Sequence, residues 1–313
     1  MHNTKTINII LASPRGFCAG VERAVDIVER ALKKYGAPVY IRHEIVHNKY
    51  VVNHLKDKGA VFVEELDEIP NNAVTIFSAH GVSDKVENEA RHRHLFVVDA
   101  TCPLVTKVHL EAKKQESLNK QIIIIGHKGH PEVEGTSGRV QQEVLLVSTI
   151  NDINYLVVKD PTNLAYVTQT TLSVDDTTKI ISKLKERFPQ IVGPELKDIC
   201  YATQNRQNAV KTLAKQVDII LVIGAKNSSN SNRLRDLGEE MGVPSYLIDT
   251  PDDIDHSWFG TFNNIGITAG ASAPEILIDN IIQYLQGIFP NSVINALKGI
   301  NENIKFRLPK EVQ

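Results

Sequence analysis

No apolar run in this 313-residue chain approaches the length of a membrane span, and the longest, at residues 122–125 and 219–223, are only strand length. The run at residues 7–12 is likewise too short for the hydrophobic region of a secretory signal, and no Arg- and Ser-rich transit segment precedes it. Net charge is also scarce. With 35 Lys and Arg against 37 Asp and Glu, and the basic residues scattered, neither a nucleic-acid surface nor membrane attachment has electrostatic support. The chain has no G-x-G-x-x-G fingerprint and no G-x-x-x-x-G-K-[ST] loop, which argues against a dinucleotide or nucleotide bound in the usual way. Redox chemistry would therefore need electrons from another protein. Cysteine occurs only three times. A cytoplasmic home is expected, where thiols stay reduced, and an odd number cannot close a disulfide framework. That favours a metal or catalytic role over the plainer alternative of three small buried apolar side chains.

What is present repeats three times. Cys18, Cys102 and Cys200 each end an extended stretch and open a helical one, as in IILASPRGFC followed by AGVERAVDIVERAL. A polar cluster follows each at a helix-plus-strand distance: His47 comes 29 residues after Cys18, His130 28 after Cys102 and Ser228 28 after Cys200. A second follows the last apolar strand of each block: His80 at 62 residues, Thr170 at 68 and Ser272 at 72. Three similar blocks about a pseudo-threefold axis would bring three thiolates and six polar loops to one point. The length suits two or three domains, and the blocks predicted are 16–99, 100–197 and 198–285, with 286–313 forming a C-terminal tail.

Short apolar runs at 39–41, 60–63, 74–77, 122–125, 144–147, 164–167, 219–223, 245–248 and 265–268 predict buried strands. Between them, Leu104, Val108 and Ala112, and again Val210, Leu213 and Ala214, keep the spacing of one buried helical face. Alternating strands and helices indicate an α/β protein with small, mostly parallel sheets and ligands at the carboxyl ends of strands. The polar clusters fall at those ends.

Three cysteine thiolates suit an iron–sulfur cubane with one iron left free, and three ligands with an open position also describe a catalytic zinc site. The stretch Gly126-His127-Lys128-Gly129-His130-Pro131-Glu132 puts two histidines and a carboxylate in a glycine-rich loop after a strand, where Glu132 could donate a proton; the bland alternative is a solvated turn. Residues 226–232, KNSSNSN, supply neutral donors before a helical stretch at 233–241, which suits a phosphate or diphosphate and equally an ordinary helix cap. Residues 270–274, GASAP, repeat the logic.

These segments together resemble the LytB/IspH family, the 4-hydroxy-3-methylbut-2-enyl diphosphate reductases. The matching motifs are PRGFCAGVERAV, EIVHN, SAHGVS, DATCPLVTKVH, GHKGHPEVEGT, TQTTLSVDDT, ICYATQNRQ, KNSSNSNRL and TAGASAP, in order along nearly the whole chain. The resemblance implies a trefoil-like assembly of three α/β domains around a central [4Fe–4S] cluster ligated by Cys18, Cys102 and Cys200, with residues 1–15 joining the third domain. It implies a substrate diphosphate held by His47, His80, Ser228, Asn230 and Ser272, with His130 and Ser229 lining the pocket. Glu132, with Thr170 in a hydrogen-bond relay, would deliver the proton that releases the substrate hydroxyl as water. Ferredoxin or flavodoxin is the implied electron donor. A zinc-dependent phosphate-ester hydrolase and a non-catalytic module binding a phosphorylated metabolite are the competing expectations.

Overall fold

A computed structural model describes residues 6–194, 196, 198–260 and 262–313. Residues 1–5 of the predicted N-terminal segment lie outside the described residues. The strands are β1 (Asn8–Leu11), β2 (Val39–Arg42), β3 (Ala60–Val63), β4 (Val74–Phe77), β5 (Phe96–Asp99), β6 (Gln121–Ile125), β7 (Leu145–Val147), β8 (Leu164–Thr168), β9 (Ile219–Ile223), β10 (Ser245–Ile248), β11 (Asn264–Ala269) and β12 (Val293–Ala296). The helices are α1 (Ala19–Tyr35), α2 (Lys49–Asp57), α3 (Asp84–His92), α4 (Pro103–Ser117), α5 (Pro131–Ser137), α6 (Ile150–Tyr155), α7 (Val174–Arg187), α8 (Tyr201–Leu213), α9 (Ser229–Glu240) and α10 (Glu275–Ile288).

The described residues divide into two compact units: those within 6–19, 47–49 and 201–305 form one, and those within 20–46, 50–200 and 306–313 the other. The first holds a five-stranded sheet in the order β10-β9-β11-β1-β12. The second holds two sheets, β3-β2-β4-β5 and β7-β6-β8. All pairings are parallel. Each sheet thus begins with the same pattern, in which the first strand of a block lies between the second and the third. A fourth strand follows in two of them, β1 and β5; in the third it shrinks to a single bridge between Ala165 and Val192. Of the residues just before Cys200, Leu196 and Asp198 lie in turns and Ile199 in a bend rather than in the extended run the sequence suggested.

Strands buried on both faces run nearly continuously apolar, and β6 (QIIII) and β9 (IILVI) are buried throughout, with Gln121 the one polar residue. Because successive side chains point to opposite faces, Ile219, Leu221 and Ile223 pack toward Ile278, Ile281 and Leu285 of α10. Ile220 and Val222 pack on the other face, against Val210 and Leu213 of α8 and Leu234 and Leu237 of α9. The same division recurs at β6. Ile123 and Ile125 join the cluster of α7, while Ile122 and Ile124 join that of α4 and α5.

The C-terminal segment is more structured than a tail. Helix α10 runs to Ile288, and β12 adds parallel to β1 with all four residues exposed. Its sequence VINA is short and exposes Val293 and Ile294, so it did not stand apart from the tail around it.

One core residue carries a pH consequence. His109 on α4 is buried, and its Nε2 has no hydrogen-bond partner among the described residues. Burial, reinforced by the nearby Arg139 and Lys113 charges, pushes its pKa down to about 4 from 6.5. The folded state thus binds this proton less readily than the unfolded chain. The resulting stability, roughly 3 kcal/mol, is present above pH 6.5 and lost as pH falls through 4. Thermal melts of the apoprotein between pH 7 and 4 should therefore fall more steeply for wild type than for His109→Gln; parallel curves would remove His109 from the acid transition.

Candidate active site

Each cysteine immediately precedes a helix, with α1, α4 and α8 starting at Ala19, Pro103 and Tyr201. A thiol at a helix N-terminus meets the positive end of the peptide dipoles, which favours the thiolate. All three cysteines are half-buried and unbridged. Their backbone N–H groups are anchored alike, Cys18 donating to the Ala271 carbonyl at 3.3 Å, Cys102 to Ala79 at 3.0 Å and Cys200 to Thr170 at 3.0 Å. Each acceptor is the second residue after the third strand of its sheet, since β11, β4 and β8 end at Ala269, Phe77 and Thr168.

That register corrects one sequence correspondence. Ala79, Thr170 and Ala271 are equivalent, so the residues one further on, His80, Thr171 and Ser272, form the matching set. The first polar cluster keeps its register, with His47, His130 and Ser228 each five residues past Arg42, Ile125 and Ile223, the ends of β2, β6 and β9. Both clusters therefore sit at the carboxyl ends of adjacent strands whose connections run in opposite directions, where parallel sheets open a crevice for ligands.

In the unit built on β6 and β8, Glu132 lies in the first turn of α5 rather than in a loop, and it is buried. Its carboxylate accepts the Thr170 N–H at 2.9 Å and the Thr170 hydroxyl at 2.9 and 3.0 Å. His130 caps the same helix, its Nδ1 accepting the Glu132 N–H at 3.1 Å. An accepting Nδ1 leaves the ring proton on Nε2, a donor for an anionic oxygen. The His80 ring stands edge-on to His130 at 6.0 Å, with Nδ1 3.3 Å from the Ser78 hydroxyl.

In the other unit, helix α9 begins at Ser229, so Ser229 and Asn230 occupy its first turn. Ser228 is the cap and accepts from the Ser231 N–H and hydroxyl at 3.3 and 3.0 Å. Gly224 and Gly270, the residues after β9 and β11, leave room for Ser231, because a Cβ at either would overlap its hydroxyl. Asn230 Oδ1 accepts the Ala271 N–H at 2.9 Å, which ties the two loops together beside Ser272. Ser272 in turn donates to the His47 carbonyl at 2.9 Å, and the Asn227 amide lies 3.4 Å from His47 Nδ1. A helix N-terminus lined by Ser, Asn and His suits a phosphate group.

The structure thus brings Glu132, Thr170, His130 and His80 together in one unit with Cys102 and Cys200. It brings His47, Ser228, Ser229, Asn230 and Ser272 together in the other with Cys18. Among the described residues, no three His, Cys, Asp or Glu side chains group as the ligands of a single metal ion. Sequence reasoning gave no role to Tyr201, whose hydroxyl accepts the Ala19 N–H at 3.3 Å beside Cys18 and whose pKa burial pushes up to about 12. Periodicity carried no signal for it.

Fold and site together define an α/β protein of repeated parallel sheets, with unbridged thiols at helix N-termini and, at the strand ends, polar loops and a helix that buries a carboxylate. The chain matches the LytB protein family over residues 9–286 and belongs to that family. It is 59% identical to 4-hydroxy-3-methylbut-2-enyl diphosphate reductase 1 of Rhodopseudomonas palustris over 304 residues, covering 97% of this chain and 99% of the relative. To the 4-hydroxy-3-methylbut-2-enyl diphosphate reductase of Azoarcus sp. it is 58% identical over 305 residues, 97% of each. Among solved structures, the E-1-hydroxy-2-methyl-but-2-enyl-4-diphosphate reductase of Plasmodium falciparum superposes with a TM-score of 0.94 at 38% identity, covering 98% of this chain and 97% of that one. These relatives are named as reductases, which gives no support to the hydrolase or binding-module expectations.

Proposed function

We propose that this chain reduces 4-hydroxy-3-methylbut-2-enyl diphosphate to isopentenyl and dimethylallyl diphosphate, the last step of the non-mevalonate isoprenoid route. Two electrons and two protons are consumed, the allylic C–O bond breaks, and the hydroxyl leaves as water. We assign Cys18, Cys102 and Cys200 as ligands of a [4Fe–4S] cluster. Three unbridged thiols at helix N-termini are the donor type such a cluster takes, and nothing about them is spent on a disulfide. When bound, a cluster of this kind supplies electrons singly and a Lewis-acidic iron.

The observation that carries the reading is the buried Glu132 carboxylate with its Thr170 partner. Hydroxide is a poor leaving group, so a proton donor held out of bulk water at the scissile oxygen is what the reaction needs. Thr170 fixes the carboxyl orientation and passes the proton along its hydroxyl. The diphosphate is held by His47, His80, Ser228, Asn230 and Ser272, with His130 and Ser229 beside them, and the α9 amides favour its charge. The allyl framework can take its second proton at either end, which accounts for two products.

We also take residues 16–99, 100–197 and 198–285 with 1–15 as the repeating blocks, and ferredoxin or flavodoxin as the electron donor. No described helix is long and apolar enough to cross a membrane. The test is anaerobic reconstitution with iron and sulfide, followed by substrate and a strong reductant. A brown protein that forms both five-carbon diphosphates is expected; a reconstituted chain that leaves the substrate unchanged would sink the assignment.

A further inference from the structure

Three basic residues outside the assigned site form a pattern that periodicity does not show. Arg23, Lys107 and Arg206 sit in the early turns of α1, α4 and α8, the helices that follow Cys18, Cys102 and Cys200. Each reaches the chain just ahead of a different cysteine. Arg206 is fully buried and donates to the Gly16 carbonyl from Nε at 2.9 Å and Nη2 at 2.6 Å, and to Phe17 from Nη2 at 3.0 Å, the two residues before Cys18. Arg23 donates from Nη1 to Ala100 at 3.2 Å and Thr101 at 3.0 Å, the two residues before Cys102. Lys107 Nζ lies 3.8 Å from Oδ1 of Asp198, a buried residue two before Cys200. The other oxygen of Asp198 accepts the Thr168 N–H at 3.2 Å.

The C-terminal segment closes on two of the bases. Arg206 Nη1 meets both Glu302 oxygens at 3.2 Å, and Arg23 Nε donates to the Arg307 carbonyl at 2.8 Å. The connectivity is cyclic: the helix after Cys18 holds the approach to Cys102, the helix after Cys102 holds that to Cys200, and the helix after Cys200 holds that to Cys18.

We propose that Arg23, Lys107 and Arg206 are positioning residues, each holding the loop of a cysteine other than the one its own helix follows, so that the three thiolates keep the geometry a cluster requires. A loop before a ligand pays conformational entropy when the ligand is fixed, and a guanidinium fork that binds two successive carbonyls removes that freedom beforehand. This rests on the reading of the cysteines as cluster ligands. Similar clamps occur away from any cysteine, as where Arg187 binds the Ile153 and Leu156 carbonyls, and they provide a matched control.

The test uses hydrogen exchange of the apoprotein and iron retention of the anaerobically reconstituted protein against a chelator. The reporters are the Cys18 and Cys102 amides, hydrogen-bonded to Ala271 and Ala79. Arg206→Lys should speed exchange at residues 16–18, and Arg23→Gln at 100–102, each by about tenfold, a conservative outcome for losing two or more hydrogen bonds of about 1 kcal/mol each. Both variants should also lose iron faster than wild type. Arg187→Gln should loosen only residues 153–156 and retain iron as wild type does. Unchanged exchange and iron retention in both variants would overturn the proposal, as would equal iron loss from Arg187→Gln, which would mark general destabilisation. A wild-type chain that takes up no cluster overturns instead the reading on which this one rests.

Discussion

Glu132→Gln should reduce turnover by about a thousandfold, within the range of 10²–10⁴ expected for loss of a general acid. The carboxamide has nearly the same shape, and its oxygen can still accept from the Thr170 N–H or hydroxyl, which now reach the carboxylate at 2.9 Å. What it lacks is a proton to release at neutral pH. The variant should therefore fold, take up iron and sulfide and bind the substrate, as judged by a substrate-induced change in the visible spectrum. Single-turnover product formation under a strong reductant is the decisive reading. Wild-type rates from a fully loaded sample would remove Glu132 from the donor role. Thr170→Val should cost less, because Glu132 would keep the backbone N–H while losing the hydroxyl that orients it.

For Cys200→Ser the expected loss is larger still, since the cluster itself should fail to form or should decay. A serine hydroxyl is harder and far less acidic than a thiol, and it would replace one of the three cysteines proposed as ligands. The backbone would be little disturbed. The residue 200 N–H can still donate to the Thr170 carbonyl, and the same Thr170 presents its N–H and hydroxyl to Glu132. Iron and acid-labile sulfide per chain, with the visible spectrum, measure the effect, and circular dichroism confirms the fold. An intact cluster spectrum in this variant would contradict the three-thiolate assignment.

The same Thr170 shows where sequence reading reaches its limit. As a polar residue at a strand end it stood out, but its correspondence to His80 and Ser272 was off by one position. Loops of different length separate the blocks, and only the Cys200 hydrogen bond reveals that its structural counterparts are Ala79 and Ala271. Glu132 and His130 were likewise visible as candidates within a glycine-rich stretch. That Glu132 lies in the first turn of a helix capped by His130, and so is held rather than solvated, depended on the cap geometry.

By itself, the sequence determined the strands and the cysteine-led helices, because burial on both faces of a parallel strand and on one face of a helix imposes a periodicity that short-range pattern reveals. It also determined the family, through motifs long enough to be distinctive. Tertiary structure alone decided the rest. The edge strand β12 is exposed at every position, and its four residues, VINA, are too few to mark a strand without the β1 partner beside them. Arg206 and the Gly16 carbonyl it holds lie 190 residues apart, and Arg23 and the Ala100 carbonyl 77. A backbone carbonyl has no residue type to betray it, so a bond to one is legible only once the chain has folded.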